Sequence, residues 1–305
     1  MSEKDLWSLH IKYGASFRSL TLYADEPEEY HKWVMNEING LSPDGLAKLL
    51  KSTDAATQNS HYVISTEPLP GNRSTAERKF TSQYVFEECC KQTLRDKAET
   101  LRMFYDVLHN DPTTATAAGM VFDYRAHQFL RKGRDIDLFP ILGHFSTRGK
   151  DAGKTVIYSD YTATKNNTDK KVVTLPDLKE CIVTDETGMH VEQDTYYHPD
   201  HTNFPSVDSW VLVRPDPQGS PIFFIFQITI NANTHDVKQK GLDMVDALDI
   251  PKDAWRCLVV FTPREVNPKI GPVSREYLER KFPGGVNIDR DFPVFHFPVD
   301  IDALF

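Results

Sequence analysis

The feature that most constrains this chain is a pair of apolar segments, Asp208-Ser-Trp-Val-Leu-Val213 and Pro221-Ile-Phe-Phe-Ile-Phe-Gln-Ile-Thr-Ile230, joined by a short turn. Both are rich in aromatic and β-branched residues and are strand-length, so they are expected to pair as two strands. Alternation along the second puts Phe223, Ile225, Gln227 and Thr229 on one face and Phe224, Phe226, Ile228 and Ile230 on the other. The second set is wholly apolar and is expected to be core. A glutamine inside so apolar a strand is costly unless its amide is hydrogen-bonded or opens on a cleft.

Asp208 stands near the start of the neighbouring strand, where a carboxylate can face Gln227. One carboxylate beside a second oxygen donor across a hairpin can hold a divalent cation against a phosphodiester. On spacing alone a second reading stands beside it, in which Asp208 caps the strand and Gln227 bonds to a neighbour inside the protein.

With 305 residues, 40% hydrophobic and 26% charged, the chain has the make-up of a globular protein with one large core or two smaller ones. Its net charge of -9 argues against coating nucleic acid non-specifically, which rests on many cations neutralising phosphates. Locally the balance reverses. Between Arg125 and Leu175 ten Lys or Arg stand against five Asp, so a phosphate-bearing partner could be received there; a solvated loop surface is the alternative.

The four cysteines have no knuckle spacing, which fits a reduced, intracellular chain. His198-Pro-Asp-His201 places two histidines three apart but lacks a third ligand nearby. No apolar run of about 18 residues is present, and Met1-Ser-Glu-Lys-Asp lacks the basic start and apolar core of a secretory signal. Gly149-Lys-Asp-Ala-Gly-Lys154-Thr155 imitates a phosphate-binding loop, yet has three residues between its glycines where four are needed.

The pattern predicts strands at Leu6 to Tyr13 and Phe17 to Leu22, then a helix from Glu28 to Ile38. Ser42-Pro43 starts a short helix through Lys51, and Ser60 to Ser65 reads as a strand. A period near 3.6 from Ser82 to Leu108 predicts one long or kinked helix, and Ala117 to Leu130 a second, closed by Gly133. Further strands are expected at 141–145, 155–159, 172–175, 188–193, 208–213, 222–230, 257–262 and 293–298, with a helix capped by Thr234. The expected organisation is a smaller, mostly helical region over 1–110 and an α/β domain with a mixed sheet flanked by helices over 111–305.

Four segments carry a resemblance: Gly119-Met-Val-Phe-Asp123-Tyr-Arg-Ala-His127-Gln-Phe-Leu130, Asn203-Phe-Pro-Ser-Val-Asp208-Ser-Trp, Phe226-Gln227-Ile-Thr229, and His235-Asp-Val-Lys238-Gln-Lys-Gly241-Leu. In this order they resemble the C-terminal domain of Crinkler effectors and retrotransposon hot spot proteins, a restriction-endonuclease-like domain of the PD-(D/E)XK superfamily. The resemblance covers roughly residues 115–265. Upstream, Ser60-His-Tyr-Val-Ile and Phe80-Thr-Ser-Gln-Tyr-Val-Phe resemble the segment that follows a P-loop NTPase module in such proteins.

The resemblance implies a magnesium- or manganese-dependent endonuclease acting on DNA or another nucleic acid, with a host protein as the alternative partner and a host nucleus as the place of action. It assigns Asp123 to the acidic residue of the first helix, Asp208 to the metal-binding aspartate and Gln227 to the next acidic position, with Thr229 in place of the lysine. Gln227 lends a carbonyl oxygen without charge, and Thr229 supplies no cation. Lys238 is the candidate replacement cation and His235 a candidate general base or phosphate contact; both equally suit a solvated helix face. The same fold without turnover, binding nucleic acid or protein, is the alternative function.

Overall fold

The computed structural model describes residues 3–14, 17–23, 25–51, 62–69, 72–95, 97–145, 155–158, 170–183, 189–199, 207–231, 234–235, 237–271, 273–281, 287 and 293–305. The chain divides into two compact units, 1–124 with Phe305, and 125–304.

The first unit is mainly helical. It contains α1 (Glu3–Tyr13), α2 (Phe17–Tyr23), α3 (Pro27–Gly40), α4 (Pro43–Lys51), the hairpin β1 (Ile64–Leu69) and β2 (Asn72–Phe80), then α5 (Gln83–Gln92) and α6 (Ala98–His109). The two strands expected at the start are helices instead. Leu6, Leu9 and Tyr13 recur at helical spacing on the inward side of α1, while Trp7 and Ile11, which suggested alternation, are exposed. Acidic Glu3 and Asp5 in the first turn and basic His10 and Lys12 in the last complement the helix dipole. The single helix expected from Ser82 to Leu108 is two, because Arg95 takes a left-handed φ of 54° between α5 and α6.

α7 (Ala115–Arg131) carries the chain from one unit into the other. The second unit is mixed α/β, built on an eight-stranded mixed sheet. In chain order its strands and helices are β3 (Arg134–Ile141), β4 (Gly143–Phe145), β5 (Thr155–Tyr158), β6 (Lys171–Leu175), β7 (Lys179–Val183), β8 (Thr195–Pro199), β9 (Ser209–Val213), β10 (Ile222–Ile228), β11 (Thr234–His235), α8 (Gln239–Asp246), β12 (Trp255–Pro263), β13 (Lys269–Ile270), β14 (Val273–Ser274), α9 (Arg275–Lys281), β15 (Val294–Val299) and α10 (Ile301–Leu304). The large sheet has the order β6-β3-β15-β12-β10-β9-β8-β7. The strands β8, β9 and β10 form an antiparallel meander, and the connection through α8 returns the chain to β12, parallel to β10.

Central β10 is covered on both faces. One face packs Phe223 and Ile225 with Trp210, Leu258, Val260, Val294 and, from α8, Leu242 and Val245. On the other, Phe224 and Phe226 stand beside Cys257 and Val259 of β12, and further along the same face Phe129 of α7 packs on Phe261 and Phe297 with ring centroids 5.9 and 6.3 Å away. The expectation that Phe224, Phe226, Ile228 and Ile230 are core holds for the two phenylalanines, whereas Ile228 and Ile230 are only half-buried; Phe223 and Ile225 on the other face are buried as well. A strand flanked by parallel and antiparallel neighbours in the middle of a helix-covered sheet buries both sets.

The helix expected from Thr234 starts later. Thr234 and His235 pair with Lys269 and Ile270 as β11 and β13, and α8 begins at Gln239 with Lys238 as its N-cap.

Candidate functional site

β9 and β10 pair antiparallel with Ser209 opposite Phe226, which makes Asp208 and Gln227 the next facing positions. Continuing the alternation of Trp210 and Leu212, and of Phe223 and Ile225, both belong to the face packed by α8. The Asp208 amide donates to the Phe226 carbonyl at 2.9 Å. Its Oδ2 accepts from the Ile228 amide at 2.6 Å. Just before β9 begins, the carboxylate replaces a backbone acceptor and extends the ladder by one bond.

Gln227 is 8% exposed, and its Oε1 is buried with no hydrogen-bond partner among the described residues. A buried carbonyl oxygen without a donor costs about 1–3 kcal/mol, so the position is either a stored cost or a waiting acceptor. The fate of the two residues is thus split. Asp208 caps the strand, as one reading of the spacing anticipated, while the neighbour expected for the Gln227 oxygen is missing.

Thr229 is turned to local structure. Its amide donates to the Phe261 carbonyl at 3.0 Å, and its Oγ1 accepts from the Asn231 amide at 3.0 Å. That hydroxyl closes a turn at the end of β10.

The remaining candidates stand on other elements. Lys238 is exposed, and its carbonyl accepts from the Gly241 and Leu242 amides at the start of α8. His235 lies in β11; its side chain is outside the described residues. Asp123, half-buried on α7, belongs to the first unit, whereas Asp208, Gln227, Thr229, His235 and Lys238 belong to the second. The structure therefore brings Asp208 and Gln227 together, with Thr229 two residues further on, just past the end of β10.

Among the described residues, no group of three or more His, Cys, Asp and Glu is gathered so as to hold a metal ion. The Asp208 carboxylate and the orphaned Gln227 oxygen are both hard oxygen donors of the type magnesium and manganese accept. With one formal charge between them, they suit a cation held weakly and largely by water.

The pattern left a second polar constellation unread, on the opposite face of the sheet. Tyr196 of β8 donates its hydroxyl proton to Ser209 Oγ at 2.6 Å, and His127 Nδ1 lies 2.7 Å from the same hydroxyl. The His127 ring stacks on His198 with centroids 5.1 Å apart. His198 Nε2 meets Glu180 Oε1 at 3.0 Å, and Glu180 also pairs with Arg131. Burial, and next the neighbouring His127, push the His198 pKa below that of an ordinary histidine, against the opposing pull of Glu180. His201, its sequence companion, lies outside the described residues.

Several cations of the basic segment are engaged within the second unit. Lys170 pairs with Asp137 at 2.9 Å, Arg125 donates to the Leu304 carbonyl at 3.0 Å, the Arg134 guanidinium sits 3.4 Å from the Phe129 ring centre, and Lys171 lies over Trp255 at 4.7 Å. Arg148, Lys150, Lys154 and Lys165 lie outside the described residues, as does the glycine-containing decoy from Gly149 to Lys154. No helix among the described residues is long and apolar enough to cross a membrane.

Comparison with family models, with curated proteins and with solved structures returns no match.

Proposed function

We propose that the second unit is a restriction-endonuclease-like domain with a degenerate metal corner at Asp208 and Gln227, and that it acts on the phosphodiester backbone of nucleic acid. The observation that carries this reading is the orphaned Gln227 Oε1 facing Asp208 at the end of the central strand. The order of elements supports it: a helix, the β8–β9–β10 meander, a crossover helix and a parallel strand are the parts such a domain needs.

A divalent cation bound at this corner would polarise a phosphate oxygen and lower the pKa of its bound water. Asp208 supplies the negative charge that retains the cation, and its bond to the Ile228 amide fixes the carboxylate's orientation. Gln227 supplies a second oxygen without charge. No ammonium stands on β10, and Thr229 just beyond it occupies the position of the lysine; Lys238 and His235 are the residues on which charge offset and proton transfer would then depend. With one charge and no strand-borne cation, turnover is expected to be slow.

A second reading, binding without cleavage, is favoured by Thr229, whose hydroxyl is committed to the Asn231 amide. One experiment separates the two. Supercoiled plasmid is incubated with the chain and magnesium or manganese, in parallel with Asp208→Ala and with EDTA, and each mixture is assayed for both nicking and retention of DNA. Nicking lost in the variant and in EDTA supports hydrolysis. Retention without nicking supports the binding module, and neither activity from folded protein removes both.

A further inference from the structure

The His127–His198 stack is not used by the corner described above. It sits on the opposite face of the sheet, where α7 meets β7 and β8, and it ties these three elements together. Tyr196 gives its proton to Ser209, so its oxygen accepts from His127, which places a proton on Nδ1 of His127. His198 donates through Nε2 to Glu180. Arg131, one turn after His127, pairs with the same Glu180 and holds the edge strand with its carbonyl, which accepts from the Leu178 amide at 2.8 Å.

We propose that His198 is a proton-sensitive latch: neutral, it stacks beneath His127 and holds the Arg125–Arg131 stretch of α7 on β7 and β8; protonated, it leaves the stack and frees that stretch.

Every group facing His198 among the described residues bears on this. From α7 come His127, a ring that opposes a second positive charge 5.1 Å away, and the cationic Arg131. From β7 comes Glu180, which attracts a proton on His198 but shares its carboxylate with Arg131. From β8 come the neutral Tyr196 and the Pro199 backbone, whose hydrogen bond favours the protonated ring. The side chain of His198 is 16% exposed, so its charged form is poorly hydrated while the stack is closed. Release exposes the ring to water and separates it from His127. The open arrangement therefore binds a proton more readily than the closed one, and by linkage acid favours opening.

The test is hydrogen exchange on the full chain at about pH 5.5 and 7.5, on either side of the ordinary histidine range, corrected for the intrinsic pH dependence of exchange. The amides of Ala126 to Arg131 are expected to open several-fold more often at the lower pH, and His198→Phe, which keeps a stacking ring without a titrating nitrogen, to abolish the difference. An unchanged opening frequency in the wild-type chain overturns the proposal, as does a pH difference that persists in His198→Phe. If that variant does not fold, the His198 ring resonance is titrated in the wild-type chain and in His127→Gln. A midpoint that rises when His127 is removed supports the latch, and one that does not move overturns it.

Discussion

The Asp208 carboxylate accepts the Ile228 backbone proton at 2.6 Å, so the residue that most resembles a metal ligand is also a structural cap on the neighbouring strand. These roles use different parts of the group and separate by substitution. Asp208→Ala removes the acceptor of a partly buried amide and is expected to cost about 1–3 kcal/mol in urea unfolding. Asp208→Asn keeps a carbonyl oxygen for Ile228 and is expected to lose less than half as much, while still abolishing any stabilisation by manganese. Equal stability losses in the two variants would show that charge, and not the capping bond, is what the fold requires.

Gln227 yields a prediction of the opposite sign. Its Oε1 is buried without a partner among the described residues, so Gln227→Met, similar in length and apolar, is expected to be neutral or to stabilise by about 1 kcal/mol. Gln227→Glu places a second carboxylate opposite Asp208, which without cations is expected to lower the melting temperature. Millimolar manganese should restore it if the two oxygens face a common ion. A melting temperature that manganese leaves unchanged in Gln227→Glu would remove the metal corner from consideration.

The parts legible in the sequence were those written in a continuous hydrophobic period. β9, β10, β12 and β15 are near-unbroken apolar runs, and their expected positions lie within a few residues of the observed ones. β7 and β8 escaped because their patterns mislead: edge strand β7 exposes Lys179, Glu180 and Ile182, and β8 is a Thr-Tyr-Tyr-His-Pro segment whose hydroxyls suggest a loop although both tyrosines are buried. The facing of Asp208 and Gln227 follows from alternation and the antiparallel pairing of two successive strands. That the Asp208 oxygen is taken by Ile228 does not, since it depends on β9 beginning one residue after Asp208. The stack of His127 on His198 joins residues far apart in the chain and leaves no periodic trace.

Alkaline titration bears on the buried tyrosines of the first unit, and substitution singles one of them out from Tyr197 and Tyr277 of the second, which burial also raises. The Tyr13 hydroxyl lies 2.9 Å from His31 Nδ1, and burial pushes its pKa up to about 12, with Glu28 adding in the same direction. Tyr62 is raised to about 12 as well, first by burial and then by its bond to Tyr23. A pKa higher in the folded than in the unfolded state means that the folded chain holds the proton longer. The associated stability is complete below about pH 10, the ordinary tyrosine value, and is lost as pH rises through about 12. Unfolding followed by tyrosinate absorbance should show a steep fall in stability over that window, and Tyr13→Phe should make it shallower. A slope identical to wild type would show that the Tyr13 hydroxyl is solvated in solution.

Gly14 makes the strongest backbone demand in the first unit. It ends α1 with a φ of +61°, its amide donates to the His10 carbonyl at 2.8 Å, and a Cβ built on it would lie 1.8 Å from the Thr81 carbonyl oxygen. The close approach is fixed from both sides, because the next residue, Ser82, donates its hydroxyl to the Lys12 carbonyl at 2.6 Å and accepts from the Val85 amide at 3.1 Å as the N-cap of α5. Gly14→Ala must therefore move backbone against backbone in a conformation that L-residues avoid, and is expected to cost at least about 2 kcal/mol. Ser82→Ala removes the cap alone and is expected to cost about 1 kcal/mol. Denaturant unfolding of the two variants measures the order: if Gly14→Ala proves the milder change, α1 does not end against Thr81 in solution, and the contact that joins α1 to the start of α5 rests on Ser82 alone.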